Sequence, residues 1–128
     1  MENMYFTVGG FENYYSDAPF KIGKLVLCAK DTENEYDSEA IKCVLPQLGT
    51  IGYIANSPET KARGTMSAGR IYDKVCSKFY ARVMRATKTE VICRVEEDPA
   101  GLEKELLEQL RGDWCEAGNT DAIDSVSF

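Results

Sequence analysis

LVLCAKDTENEYDSEAIKCVLPQLGTIGYIA, residues 25–55, carries the pattern that decides the fold class. Leu25 to Lys30 is apolar or β-branched through its centre, which predicts a strand. Asp31 to Ser38 is polar and turn-like, and Ala40 to Leu45 predicts a further strand that stops at Pro46, because proline has no N–H for the ladder. Gln47-Leu48-Gly49 turns the chain back into Thr50 to Ala55, so these last two strands form a hairpin.

The same periodicity extends outward. Met4, Phe6 and Val8 alternate with more polar neighbours until Gly9-Gly10 break the run. Residues 9–23 read as a long loop unusually rich in aromatics (Phe11, Tyr14, Tyr15, Phe20), and long loops in compact domains tend to be functional. Phe79 to Ala86 and Glu90 to Val95 supply two more strands around the polar link Thr87-Lys88-Thr89, for six in all and a mainly β (α+β) class. Ser57 before Pro58 is a cap followed by proline at the first helical position, so a helix is predicted there, shortened or broken by Gly64 and Gly69. After Pro99, Leu102, Leu106, Leu107 and Leu110 recur at helical spacing with Gly112 just past the end, an amphipathic helix of about three turns. Its leucine stripe either docks on the strands or offers a surface to a dimer or protein partner. Beyond Gly112 the chain is expected to fray, with Trp114 and Phe128 as potential anchors.

Composition removes most functional classes. A chain of 128 residues with 44% hydrophobic and 28% charged residues suits one globular core, not a disordered or collagen-like chain. Its apolar runs fall far short of the roughly 20 residues a membrane helix requires, and Glu2-Asn3 stand where a secretory signal would be basic and apolar, so a cytoplasmic protein with no membrane span is expected. The cysteines at 28, 43, 76, 93 and 115 are odd in number and widely spaced, which predicts reduced thiols, with Cys28, Cys43 and Cys93 acting as small buried hydrophobes. Histidine is absent, and with it the commonest general base and transition-metal ligand. Neither a phosphate-cradling glycine loop nor a Gly-x-Ser-x-Gly elbow occurs, and carboxylate pairs such as Asp37 with Glu39 or Asp31 with Glu33 lie in polar turns. A non-catalytic protein with no cofactor and no metal is the expectation.

Charge is unevenly placed. Residues 1–95 hold 13 basic against 11 acidic side chains, net +2, whereas residues 96–128 hold only Lys104 and Arg111 against ten acids, net −8. Between Lys61 and Arg94 the chain is net +7, with Arg63, Arg70, Lys74, Lys78, Arg82, Arg85 and Lys88 against only Asp73 and Glu90. A basic surface of this size suits a polyanion, if those side chains share a face.

Asn34-Glu35-Tyr36-Asp37-Ser38-Glu39-Ala40-Ile41 resembles the N-x-Y-D-x-x-A-I signature of the HIRAN family, and Gly49-Thr50-Ile51-Gly52-Tyr53-Ile54 is similar to the family's G-x-V-G-[HY]-[IL] strand. With Val8-Gly9 and the pair Tyr14-Tyr15, the resemblance covers roughly residues 4–95, and the chain looks like a free-standing bacterial version of a domain that is elsewhere fused to fork-remodelling helicases. The resemblance implies a compact six-stranded OB-like barrel with short helices, over residues 1–97, followed by a C-terminal helix and acidic tail over residues 98–128. It further implies a pocket for the 3' end of single-stranded DNA and a link to DNA repair or replication. The nucleic-acid-binding residues it implies are Tyr14 or Tyr15 and Tyr36 for stacking on terminal bases and Asp37 for the 3'-hydroxyl, with Asn34 and Tyr53 from the two motifs; the basic stretch, read from charge alone, adds Lys61, Arg63 and Arg70 as candidate phosphate contacts.

This chain departs from the helicase-fused pattern at two places. Glu12 and Asn13 precede the tyrosine pair where those members carry an arginine, and Ala55-Asn56 follow Tyr53 where they have lysines. Both departures remove phosphate contacts. Asn34 and Asp37 are also good turn residues in their own right, and Tyr36 can cap a core edge. The alternative reading is a protein-interaction adaptor that uses the same aromatic pocket or the leucine helix.

Overall fold

The computed structural model describes residues 3–96 and 100–115. Six antiparallel strands, β1 (Tyr5–Gly9), β2 (Leu25–Lys30), β3 (Ile41–Leu45), β4 (Gly49–Ile54), β5 (Lys78–Ala86) and β6 (Val91–Glu96), close into a barrel in the order β1-β4-β3-β2-β5-β6. Each lies within one residue of its sequence-predicted bounds. Closure comes from β6 meeting β1, with Tyr5 opposite Arg94 and Val8 opposite Val91.

Alternate residues fill the interior: Phe6 and Val8, Val26 and Cys28, Ile41 and Cys43, Ala81 and Val83, Val91 and Cys93 are all buried. Cys28 and Cys43 face each other across β2 and β3. Burial pushes the Cys28 and Cys93 thiols well above their ordinary range, and the neighbouring Cys43 adds to the effect. They pack as small apolar groups. Gly52 permits the closest approach in the barrel: a Cβ there would stand 2.6 Å from Val8 Cγ1.

The aromatic loop between β1 and β2 is divided between core and surface. Phe11, in a single 3₁₀ turn (Phe11–Asn13), and Phe20 are buried and meet edge to face at 5.9 Å, while Tyr14 and Tyr15 stay exposed.

The helix expected at Ser57-Pro58 does not form. Ser57 O accepts from Thr60 N and Lys61 N, one turn's worth, but the next N–H, of Ala62, donates to Thr7 Oγ1 at 2.9 Å. That bond to β1 draws the chain off the helical path, and Gly64 (φ +88°) completes the departure. The short helix α1 (Ala68–Tyr72) begins ten residues later, with Ser67 as N-cap accepting from Arg70 N.

Helix α2 (Leu102–Cys115) runs through Gly112 rather than ending before it, glycine inside a helix costing about 1 kcal/mol, not prohibiting it. Its stripe of Leu102, Leu106 and Leu110 is buried in the same core as the strands. Polar bonds fasten it: Arg82 of β5 donates to both Glu105 oxygens (2.6 and 2.9 Å) and to Glu96 (2.8 Å), and Gln109 Oε1 accepts from Leu25 N at 2.8 Å. The leucine stripe is therefore covered by the barrel. The side chain of Trp114 and the acidic tail with Phe128 lie outside the described residues. Among the described residues no helix is long and apolar enough to cross a membrane.

Candidate functional site

The N-x-Y-D segment links β2 to β3 as a tightly bonded loop. Asp31 N donates to Ala40 O (2.8 Å), closing the loop at its base. Asn34 Oδ1 accepts from both Tyr36 N (2.8 Å) and Asp37 N (2.9 Å), and Asp37 Oδ1 accepts from Glu39 N (2.9 Å). These are side-chain-to-backbone turns of the kind Asn and Asp favour. Their effect is to hold Tyr36 outward, 95% exposed on a fixed backbone. A ring so placed can receive a partner without rearrangement.

Tyr53 projects from β4 toward the base of this loop. Its hydroxyl donates to Asp31 Oδ2 at 3.0 Å, and Asn34 Nδ2 reaches the same oxygen at 3.5 Å. The Tyr14 phenol lies near enough to the Tyr53 phenol to act on it electrostatically. Burial, the bond to Asp31 and the nearby negative charge push the Tyr53 phenol up to about 12. It stays a neutral donor throughout the physiological range.

A second group extends the cluster toward α1. Asn56, just past β4, donates from Nδ2 to Asp37 Oδ2 (3.1 Å) and accepts at Oδ1 from Gly69 N (2.8 Å). Tyr14, Tyr53, Asp31, Asn34, Asp37, Asn56 and the start of α1 thus form one connected unit, and exposed Arg70 is carried on its far end. Asp31 and Asn56 are its parts that motif reading did not supply. The two are brought together by the antiparallel β3–β4 pairing, in which Lys42 stands opposite Tyr53, so that the loop entering β3 lies beside the residues leaving β4.

Tyr15 parts company with Tyr14. Its hydroxyl donates to Leu48 O (3.3 Å), and its ring lines a cavity of about 370 Å³ bounded by the β3–β4 turn and α2, with Leu45, Leu48, Leu106 and Leu110 among its walls and Lys21 and Lys24 at its edge. Adjacent in sequence, the two tyrosines serve different surfaces.

Part of the basic stretch is neutralised by carboxylates folded onto it. Arg82 and Arg94 are both paired with Glu96, Arg82 also with Glu105, and Arg85 with Glu90. The hydrogen bonds it donates to Glu105 hold Arg82 even more firmly protonated than usual. Lys30 rests over the Tyr72 ring at 4.4 Å. Lys61 and Arg63 lie on the segment that Ala62 anchors to Thr7, so they approach from β1, whereas Arg70 approaches from α1. Among the described residues no group of three or more Cys, Asp and Glu is placed to hold a metal ion.

No protein-family profile matches the chain, and no curated protein matches it. The structure is similar to that of a protein from Lactobacillus plantarum solved by a structural genomics consortium, at 21% identity and a TM-score of 0.49 over 73% of this chain and 93% of the other. It is also similar to the HIRAN domain of human HLTF, at 18% identity and a TM-score of 0.48 over 83% of this chain and 87% of that domain. The second bears the family name that the order of motifs suggested.

Proposed function

We propose that this chain is a non-catalytic module that binds the 3' end of single-stranded DNA on the surface formed by Tyr14, Tyr53 and the N-x-Y-D loop. The observation that carries the reading is the bond from the Tyr53 hydroxyl to Asp31, which seats a phenol ring from β4 against the loop that presents Tyr36 and Asp37, with Tyr14 nearby. Stacking on such rings is worth about 1–3 kcal/mol per base and tolerates any base sequence. Asp37 already accepts from Glu39 N on one oxygen and from Asn56 on the other, and a carboxylate offers about four lone-pair sites, so capacity for a hydroxyl remains. A terminal phosphate at the same place would meet the negative charge of Asp37 on a loop that also carries Glu33, Glu35 and Glu39. Arg70, Lys61 and Arg63 supply cations at the margins of this surface for the backbone of a strand.

The test is a titration of a short fluorescent single-stranded oligonucleotide carrying either a 3'-hydroxyl or a 3'-phosphate, at two salt concentrations. The hydroxyl end should bind more tightly by about 1–3 kcal/mol, the range for a hydrogen bond to a charged group. Affinity for both ends should fall with salt. Equal binding of the two ends overturns end recognition.

A protein-interaction role has one specific feature in its favour, the cavity between Tyr15, Leu48 and α2. Leu106 and Leu110 of the α2 stripe are among the walls of this cavity, although most of the stripe is buried against the barrel. Binding of a protein at that cavity would be nearly indifferent to salt, in contrast to binding of a strand.

A further inference from the structure

We infer that Asn56 is a positioning residue that fixes the Asp37 carboxylate and couples the N-x-Y-D loop to α1, so that Asp37 and Arg70 move as one unit; its role in end selection rests on the proposed strand-binding function. Asn56 is half-buried between two partners of opposite demand. A backbone N–H, that of Gly69, can only donate, and the Asp37 carboxylate can only accept, so the orientation of the Asn56 amide is fixed by its partners. No other neutral side chain of this length offers both functions.

Position matters here for a chemical reason. Asp37 is held at one oxygen by its own loop, through Glu39 N, which leaves rotation about that bond; the Asn56 amide on the second oxygen removes it. The carboxylate then presents its remaining lone pairs in one direction. A lysine at this position would neutralise Asp37 and reach for phosphate. Asparagine leaves the negative charge in place, so discrimination against a phosphate end is kept while the carboxylate is aimed. The coupling also passes beyond Asp37. Gly69 N is one of the early helix N–H groups that the α1 ladder does not satisfy, so the bond to Asn56 sets where α1, and Arg70 on it, sits relative to the loop.

Two variants of the full chain separate the two arms. Asn56→Ala removes both bonds; Asn56→Asp keeps an acceptor for Gly69 N but cannot donate to Asp37. Amide hydrogen exchange at Gly69, followed by NMR, should quicken about fivefold in Asn56→Ala, the change that corresponds to one net hydrogen bond, and stay near the unaltered rate in Asn56→Asp. In Asn56→Ala, which leaves the local charge unchanged, the preference for a free 3'-hydroxyl over a 3'-phosphate, measured on the same oligonucleotide, should fall at least about threefold, while summed affinity for single strands changes much less; Asn56→Asp adds a charge beside Asp37 and serves the exchange measurement alone. Unchanged Gly69 exchange in Asn56→Ala, or a full end preference in that variant, overturns the assignment and leaves strand binding standing. Absence of any end preference in the unaltered chain overturns the end-binding reading itself, and the role of Asn56 in it.

Discussion

Gly52→Ala tests whether the barrel closes as tightly at β1–β4 as its geometry demands. The new methyl carbon would stand 2.6 Å from Val8 Cγ1, 3.4 Å from Gly9 O and 3.5 Å from Phe11 Cβ. None of these can move freely: Val8 and Phe11 are core residues at 2% and 3% exposure, and the valine is stiff about χ1. Relief requires either an off-rotamer Val8 or a shift of β1 by roughly 1 Å, and overpacking of this kind costs about 1–3 kcal/mol. Restricting the unfolded chain returns about 0.4–1 kcal/mol, so a net loss of about 1–2 kcal/mol is expected. Urea unfolding should show it as a midpoint lowered by roughly 0.5–1 M at unchanged slope. Gly69→Ala is the internal control. There the added carbon meets Glu39 Oε1 at 2.7 Å, the free end of an exposed side chain that can swing aside, and alanine gains up to about 1 kcal/mol of helix propensity. It should be neutral or stabilising. In a Val8→Ala background the Gly52→Ala penalty should largely vanish, since the clash partner is gone. Equal stability of Gly52→Ala and the unaltered chain would refute the close approach.

A chain ending at Glu97 should still unfold by heat in one cooperative transition, at a lower midpoint because the cover of Leu102, Leu106 and Leu110 is gone; a molten or insoluble product would show that the barrel cannot fold without α2. Arg82→Met should cost about 0.5–1.5 kcal/mol by removing its bonds to Glu96 and Glu105, since Arg94 still holds Glu96 and Gln109 still holds Glu105. Glu105 is held below the usual carboxylate range by the bonds from Arg82, and at Glu96 the bonds from Arg82 and Arg94 outweigh the opposing effect of burial. Carboxyls so depressed contribute stability above their unfolded value of about 4.3 and lose it as pH falls through the folded values. The unaltered chain should therefore lose stability below about pH 4.5 more steeply than Arg82→Met in parallel denaturant titrations.

The strands were legible because a period of two and the punctuation at Pro46, Gly49 and Gly9-Gly10 are local signals. So was the turn at Asn34 and Asp37, whose side chains bond to backbone two or three residues away. What escaped depends on contacts between distant residues. Ser57-Pro58 has sound helix-start chemistry, yet Thr7, 55 positions away from Ala62, captures the N–H that would have continued the turn. The +7 stretch looked like a polyanion surface until Glu96 and Glu105 were seen folded onto Arg82 and Arg94. Tyr14 and Tyr15 could not be told apart within an irregular loop, and half of that loop's aromatic content, Phe11 and Phe20, proved to be core.

Closure of the six strands restricts how anything can bind. Each described strand is flanked by two others, and the ladder is thin only between β1 and β4, which pair at two positions, Val8 with Ile54 and Gly9 with Tyr53. Recognition by backbone pairing, and self-association by the same route, therefore find little free edge. A ligand of this barrel must be held by side chains and by the loops at its rims, where a few substitutions can change the preferred partner while the ladder beneath stays as it is.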